Sequence, residues 1–133
     1  MPQLGHFFMR DIEHRSDLEV LLRAFYEKLL DDPEVGYIFT TIAKIDLEPH
    51  LVHIVDFWEQ TLFNKGSYRN NVLQIHQDLN SLEKLTSRHF EVWLSHFTAI
   101  IDNMFTGEVA EKMKTRALSI ATVMQMKLHF PAK

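Results

Sequence analysis

The chain has 133 residues, 46% of them hydrophobic and 24% charged, and its formal net charge of −4 comes from interspersed acidic and basic residues. No basic stripe is available to neutralise a phosphate backbone, so nucleic acid is not an expected partner. No cysteine is present, which excludes disulfides, thiolate nucleophiles, iron–sulfur clusters and cysteine-bound zinc, and leaves histidine and carboxylate as metal ligands.

The length suits one domain, 1–133, with a core and room for a cavity. The first residues lack a basic start followed by a long apolar run, and nowhere do 18 apolar residues follow one another. Neither export nor membrane insertion is predicted, and a cytoplasmic protein is the simplest reading. Only four Gly and four Pro punctuate the chain, and the apolar residues between them recur at helical spacing, so the fold is predicted to be all-α.

Residues 1–15 carry Leu4, Phe7, Phe8 and Ile12 and are expected to form an arm or a short helix. Ser16 followed by Glu19 is a capping-box pattern opening a helix in which Leu18, Leu21, Leu22, Phe25 and Leu29 share a face, with Tyr26 at its edge. Asp32 and Pro33 stop that helix, and PEVGYIFT reads as a short helical turn ending in Phe39. Asp46 is placed to cap a second long helix, with Pro49 tolerated in its first turn. The inner stripe of that helix is Leu47, Leu51, Ile54, Val55, Trp58 and Leu62. His50 falls at the inner margin with Ile54 and Phe57, His53 lies nearer the polar boundary, and Gly66 is expected to end the helix.

Ser67 to Leu85 is rich in Asn, Gln and Ser, and is predicted to be an irregular stretch around His76. Irregular segments of this length inside a compact domain are usually functional or disordered. Thr86 is placed to cap a third long helix with Phe90, Leu94, Phe97, Ile101, Met104 and Phe105 inward, Trp93 on one flank, and His89 and His96 on a solvated face. Thr106 and Gly107 break the chain before a last helix whose Val109, Met113, Ala117, Ile120 and Met124 point inward, ending before Pro131.

Eight histidines without a cysteine direct attention to metal chemistry. His50 and His53, at i and i+3, could form half of a zinc site, but no second pair and no HExxH helix completes it. A flat apolar cofactor held between helices needs less: one neutral imidazole, large apolar walls and a few hydrogen-bond donors. His76 facing a helix with His50, Ile54 and Phe57 meets that pattern. Taken singly, a histidine in a polar stretch reads first as a surface or capping residue, and Trp93 and Phe57 read first as core.

The run FYEKLLDDPEVGYIF, His50 eight residues before Trp58 in HLVHIVDFW, GSYRNNVLQIHQDLN and HFEVWLSHF, in that order and spacing, resemble the truncated haemoglobins, and their third group above the others. The likeness runs from about Ser16 to Phe130. It implies a two-over-two helical sandwich around a non-covalent haem b. Residue by residue, it implies His76 as the iron ligand, Tyr26, His50 and Trp93 as the distal donors, and Phe39 as the residue packed on the macrocycle. Phe25, Ile54 and Phe57 would join the cofactor's walls. Tyr68 and His53 fall where propionate partners are expected, with Arg69 and Lys44 as competing candidates. The paired-glycine motifs of the other truncated groups are missing, as the third group implies.

The function implied is reversible binding of dioxygen and other diatomic ligands, such as nitric oxide or carbon monoxide, at a pentacoordinate iron. A donor-rich pocket suits redox chemistry on dioxygen, nitric oxide or peroxide, in the manner of a nitric oxide dioxygenase or peroxidase. A separate reductase would be required, because no flavin or nicotinamide motif is present. A haem-based gas sensor, a storage protein and a cofactor-free helical interaction module are the alternatives. A monomer is expected.

Overall fold

A computed structural model describes residues 9–66 and 72–129. Five α-helices follow one another: α1 (Arg15–Leu30), α2 (Leu47–Phe63), α3 (Val72–Leu82), α4 (Ser87–Met104) and α5 (Glu108–His129), with a π-helical turn, Ile38–Ile42, between α1 and α2. The described residues contain no strand. Helix α1 packs on α2, α4 packs on α5, and the two pairs meet through α1 against α4 and α2 against α5. This is the two-over-two sandwich expected from the sequence.

The faces that meet are the apolar stripes of each helix. Leu18, Leu21, Leu22, Phe25 and Leu29 of α1 are buried, as are Leu51, Val55, Trp58 and Leu62 of α2. Phe97 and Ile101 of α4 and Met113 and Ala117 of α5 complete the centre. Each fully buried large side chain contributes about 1.5–3 kcal/mol relative to exposure. Small side chains on α5, Ala110, Ala117 and Ala121, are buried as well, letting its backbone approach its neighbours.

Helix α1 begins differently from the sequence expectation. Its N-cap is His14 and the acidic residue of its first turn is Asp17, a pair two residues before Ser16 and Glu19. Asp17 is favoured because its carboxylate accepts the backbone N–H groups of Glu13 (2.9 Å) and His14 (3.0 Å) and both terminal nitrogens of Arg10 (2.9 and 2.6 Å). Ser16 and Glu19 are exposed inside the helix. The described part of the N-terminal arm is not helical; it is sewn to the α4–α5 corner. Ile12 is buried, Asp11 accepts from the N–H groups of Val109 and Ala110 at the start of α5, and Thr106 N–H donates to the Arg10 carbonyl. Gly107 (φ 144°) lies so close to Asp11 that a β-carbon there would collide with its carboxylate. Leu4, Phe7 and Phe8 lie outside the described residues.

Three further expectations change. The turn after α1 does not stop at Phe39: the π-helical turn carries Phe39 in its interior, and the Ala43 N–H reaches back to the Ile38 carbonyl at 2.7 Å. Helix α2 ends at Phe63 with Asn64 in the left-handed region (φ 59°, ψ 34°), two residues before Gly66, because asparagine tolerates that conformation better than other non-glycine residues. Asp46 does occupy the N-cap of α2, without a side-chain capping bond.

The largest difference is α3. Eleven residues of the stretch expected to be irregular are helical. The apolar positions Val72, Ile75, Leu79 and Leu82 are spaced at i, i+3, i+7 and i+10, and no Gly or Pro occurs from 67 to 85. Asn, Gln and Ser mask that period without breaking it.

The Asp17 carboxylate is held well below the usual carboxylate range, first by its hydrogen bonds to Arg10 and then, against the opposing cost of burial, by the Glu13 and His14 N–H groups. A carboxylate with a depressed folded-state pKa stabilises the fold above its unfolded pKa, and that stabilisation disappears as the pH falls toward the folded value. Asp17→Asn is therefore expected to destabilise the protein by about 1–3 kcal/mol at pH 7. In urea titrations, the gap between wild type and variant should shrink as the pH drops below about 4.

Candidate functional site

One cavity of about 500 Å³ opens between the helix pairs, within the range that cofactor-sized ligands occupy. Its walls come from α1 (Phe25, Tyr26), the π turn (Ile38, Phe39, Ile42), α2 (His50, His53, Ile54, Phe57), α3 (Ile75, His76, Leu79), α4 (Phe90, Trp93) and α5 (Ile120, Met124). Nine of the candidates named from the sequence therefore line one space: Tyr26, His50, Trp93, His76, Phe25, Phe39, His53, Ile54 and Phe57. Lys44, at φ 52°, does not line it. Tyr68 and Arg69 lie outside the described residues.

Each side chain is there for a local reason. Tyr26 follows Phe25 on the buried face of α1 and is only 4% exposed. His50, one turn after the Asp46 cap, is half-buried, and its Nε2 lies 2.9 Å from the Tyr26 hydroxyl. The two rings meet edge to face at 5.1 Å. The Tyr26 ring is also set against Phe25 (5.3 Å, 73°) and Phe39 (5.8 Å, 89°). Trp93 stacks on Phe97 one turn later in α4 (4.9 Å, 11°) and takes the edge contact of Phe25 (5.6 Å, 90°). These T-shaped and stacked pairs suit the ring quadrupole. His76 is half-buried on α3, with Ile75 and Leu79 beside it along the wall.

The electrostatics favour neutral groups. Burial raises the Tyr26 phenol far above its ordinary value, so it keeps its proton and can donate. Burial lowers the His50 imidazole, and the nearby His53 and His76 rings push it the same way. A neutral His50 whose Nε2 accepts the Tyr26 O–H carries its own proton on Nδ1.

His89 and His96 are not the solvated pair expected from the sequence. His96 Nε2 lies 2.7 Å from Asp32 Oδ2, a contact that, ahead of the Glu34 N–H, lowers the Asp32 pKa. His89 is half-buried and lines the cavity. It belongs to the capping box that starts α4, where Thr86 Oγ1 accepts the His89 N–H (3.2 Å) and His89 Nδ1 accepts the Thr86 N–H (3.0 Å). Thr86 at the cap was legible in the sequence; a histidine three residues on was the missed sign that its ring would fold back. No group of three or more His, Cys, Asp or Glu able to hold a metal ion occurs among the described residues, so His50 and His53 do not complete a zinc site there.

A desolvated imidazole favours its neutral form in the folded chain, so its contribution to stability is complete above the unfolded value of 6.5 and is lost as the pH falls. In a ring ¹H–¹⁵N titration, His50 should show a midpoint below 6.5 with its proton on Nδ1 at pH 7. A midpoint above 6.5 would contradict the desolvation described here.

No protein-family model matches the chain. A curated relative, "Group 3 truncated hemoglobin ctb" of Campylobacter jejuni, is 29% identical over 119 residues, spanning 87% of this chain and 91% of the relative. The crystal structure of a group III truncated hemoglobin from Campylobacter jejuni superposes with a TM-score of 0.82 at 26% identity, covering 95% of this chain and 99% of the other. Among the described residues, no helix is long and apolar enough to cross a membrane. The ordered motifs, the two-over-two fold and these two similarities agree: the chain is similar, in sequence and in fold, to truncated haemoglobins of the third group.

Proposed function

We propose that the cavity binds haem b without covalent attachment, that His76 is the protein's ligand to its iron, and that Tyr26, His50 and Trp93 are the donors to a small ligand. The observation that carries this reading is a single cavity lined by all four residues and by Phe25, Phe39, Ile54 and Phe57. The donor set fits the group. A porphyrin gains mainly from apolar walls, its iron takes an imidazole nitrogen, and a chain without cysteine offers no covalent tether. His53 and, outside the described residues, Tyr68 and Arg69 are the candidates to meet the propionates.

When bound, the iron supplies a coordination position for a diatomic ligand such as dioxygen, nitric oxide or carbon monoxide. The chain's own residues decide how long that ligand stays. Tyr26 holds its proton at every physiological pH, and Trp93 Nε1 is a donor only. The Tyr26 hydroxyl already lies within hydrogen-bond distance of His50, so its gain from turning toward a ligand is the difference between the two bonds. Each net hydrogen bond contributes about 0.5–1.5 kcal/mol, and two together slow ligand loss by roughly 10- to 100-fold. A pocket that retains its ligand suits redox chemistry on dioxygen, nitric oxide or peroxide better than oxygen delivery. The electrons would come from a separate reductase. We read the protein as cytoplasmic and monomeric, with sensing or storage as the role if no turnover is found.

A cofactor-free interaction module is the competing class. The sequence argued against it through a long irregular stretch around His76; eleven of its residues, Val72–Leu82, are helical, and the apolar cavity takes over as the argument.

The deciding experiment is the absorption spectrum of haem-supplemented wild type and His76→Ala, ferric and ferrous with carbon monoxide. Wild type should give a Soret band that shifts with carbon monoxide, and the variant a weakened or altered one. No Soret band in wild type overturns the reading. Tyr26→Phe and Trp93→Phe should together raise the dioxygen dissociation rate roughly 10- to 100-fold; unchanged rates would remove these donors from the proposal.

A further inference from the structure

Residues 32–37, between α1 and the π turn, run along the first half of α4 toward the α3–α4 corner, tied by polar contacts at three levels. Asp32 meets His96 at 2.7 Å. Glu34 takes a two-pronged contact from Arg88, at 3.1 and 2.9 Å. Tyr37 donates its hydroxyl proton to Glu83 at 2.7 Å, with His89 Nε2 3.4 Å from the same oxygen.

The third level differs from the others in where it leads. The Thr86 N–H can only donate, so His89 Nδ1 must accept it and the neutral ring carries its proton on Nε2. That proton points along the contact to Tyr37, whose own proton is committed to the Glu83 carboxylate. The chain His89 to Tyr37 to Glu83 therefore has one consistent direction, set by a backbone group. It also spans two walls of the cavity. Tyr37 immediately precedes Ile38 and Phe39 of the π turn, while Glu83 and His89 flank Leu85, and Ile38, Phe39, Leu85 and His89 all line the cavity.

We propose that Tyr37, Glu83 and His89 form a clasp across one edge of the cavity that retains the cofactor, with Tyr37 and Glu83 as positioning residues for the wall built by α3 and the start of α4. The inference rests on the haem reading above. It adds residues that make no claim on the iron or its ligand. Glu83 follows directly on the helix that carries His76, and its N–H is bonded to the Leu79 carbonyl, so a pull on Glu83 is a pull on the C-terminal end of that helix. Glutamine at 83 would keep an oxygen to accept the Tyr37 proton, whereas alanine would not.

The test is the rate of haem loss from the full-length, haem-loaded protein to an excess of haem-free myoglobin. Tyr37→Phe and Glu83→Ala should each lose haem roughly 3- to 10-fold faster than wild type, the range expected for one hydrogen bond, and Glu83→Gln should return most of the way to the wild-type rate. Lys114→Met, which removes ion pairs to Asp102 and Glu111 elsewhere, serves as the control: it should lower the melting temperature while leaving haem loss unchanged. Wild-type rates in both Tyr37→Phe and Glu83→Ala would overturn the clasp and leave the haem reading intact. Equal acceleration by Glu83→Gln and Glu83→Ala, or acceleration in Lys114→Met matching its loss of melting temperature, would also overturn it. A wild-type protein that takes up no haem overturns both proposals.

Discussion

Edge-to-face contact between aromatic rings is the constraint on which the architecture rests. A cavity in the middle of two packed helix pairs would collapse if its walls were flexible aliphatic chains, because every methylene gains by touching another. Here the rings hold one another apart. Phe25 is the hub, presenting its edge or face to Tyr26, Trp93 and Phe97, while Phe97 is also stacked between Trp93 and Trp58. Rings have two torsions and few rotamers, so they stand as struts. The apolar stripes of α1, α2 and α4 thus do two jobs at once: their inner residues seal the core, and the ring-bearing positions beside them frame the space.

The polar chemistry of the site follows from that frame. A desolvated hydroxyl or imidazole is costly unless it has a partner, as inside the cavity, and the same pair of residue types recurs at the exposed rim. Tyr26 and His50 meet at 2.9 Å inside the cavity, and Tyr37 and His89 meet at 3.4 Å near its rim. In the function proposed above, the inner pair exchanges its hydrogen bond for one to a guest. The outer pair is fixed by a backbone N–H on one side and a carboxylate on the other. Similar groups are adaptable in one place and locked in the other because of what surrounds them.

Most of the fold was legible because helical periodicity was strong where burial was deep: Leu18, Leu21, Leu22, Phe25 and Leu29 announced α1, and Leu51, Val55, Trp58 and Leu62 announced α2. Thr86 marked the start of α4 correctly. Where burial is shallow the signal failed. None of the described side chains of α3 is fully buried, so its apolar period was thin and its Asn, Gln and Ser residues dominated the reading. The cap at His14 and Asp17 was hidden because its decisive partner, Arg10, lies before the helix and no local spacing rule refers to it. The cavity's members were found through family resemblance, since periodicity alone made Trp93 and Phe57 ordinary core. His89 was missed because one ring nitrogen serves a cap and the other the rim, and a sequence shows neither.

The shallow burial of α3 also bears on how the molecule comes apart. Its main packing against other helices is on α5, and Ile75 and Leu82 remain 50% and 71% exposed. A helix so weakly anchored is the natural unit for sub-global opening, with backbone amides that exchange with solvent long before those of α1 or α4. The apolar core shared by α1, α2, α4 and α5 takes in none of the described side chains of α3. The segment bearing His76 is therefore the part of the fold that a guest in the proposed site has most to order.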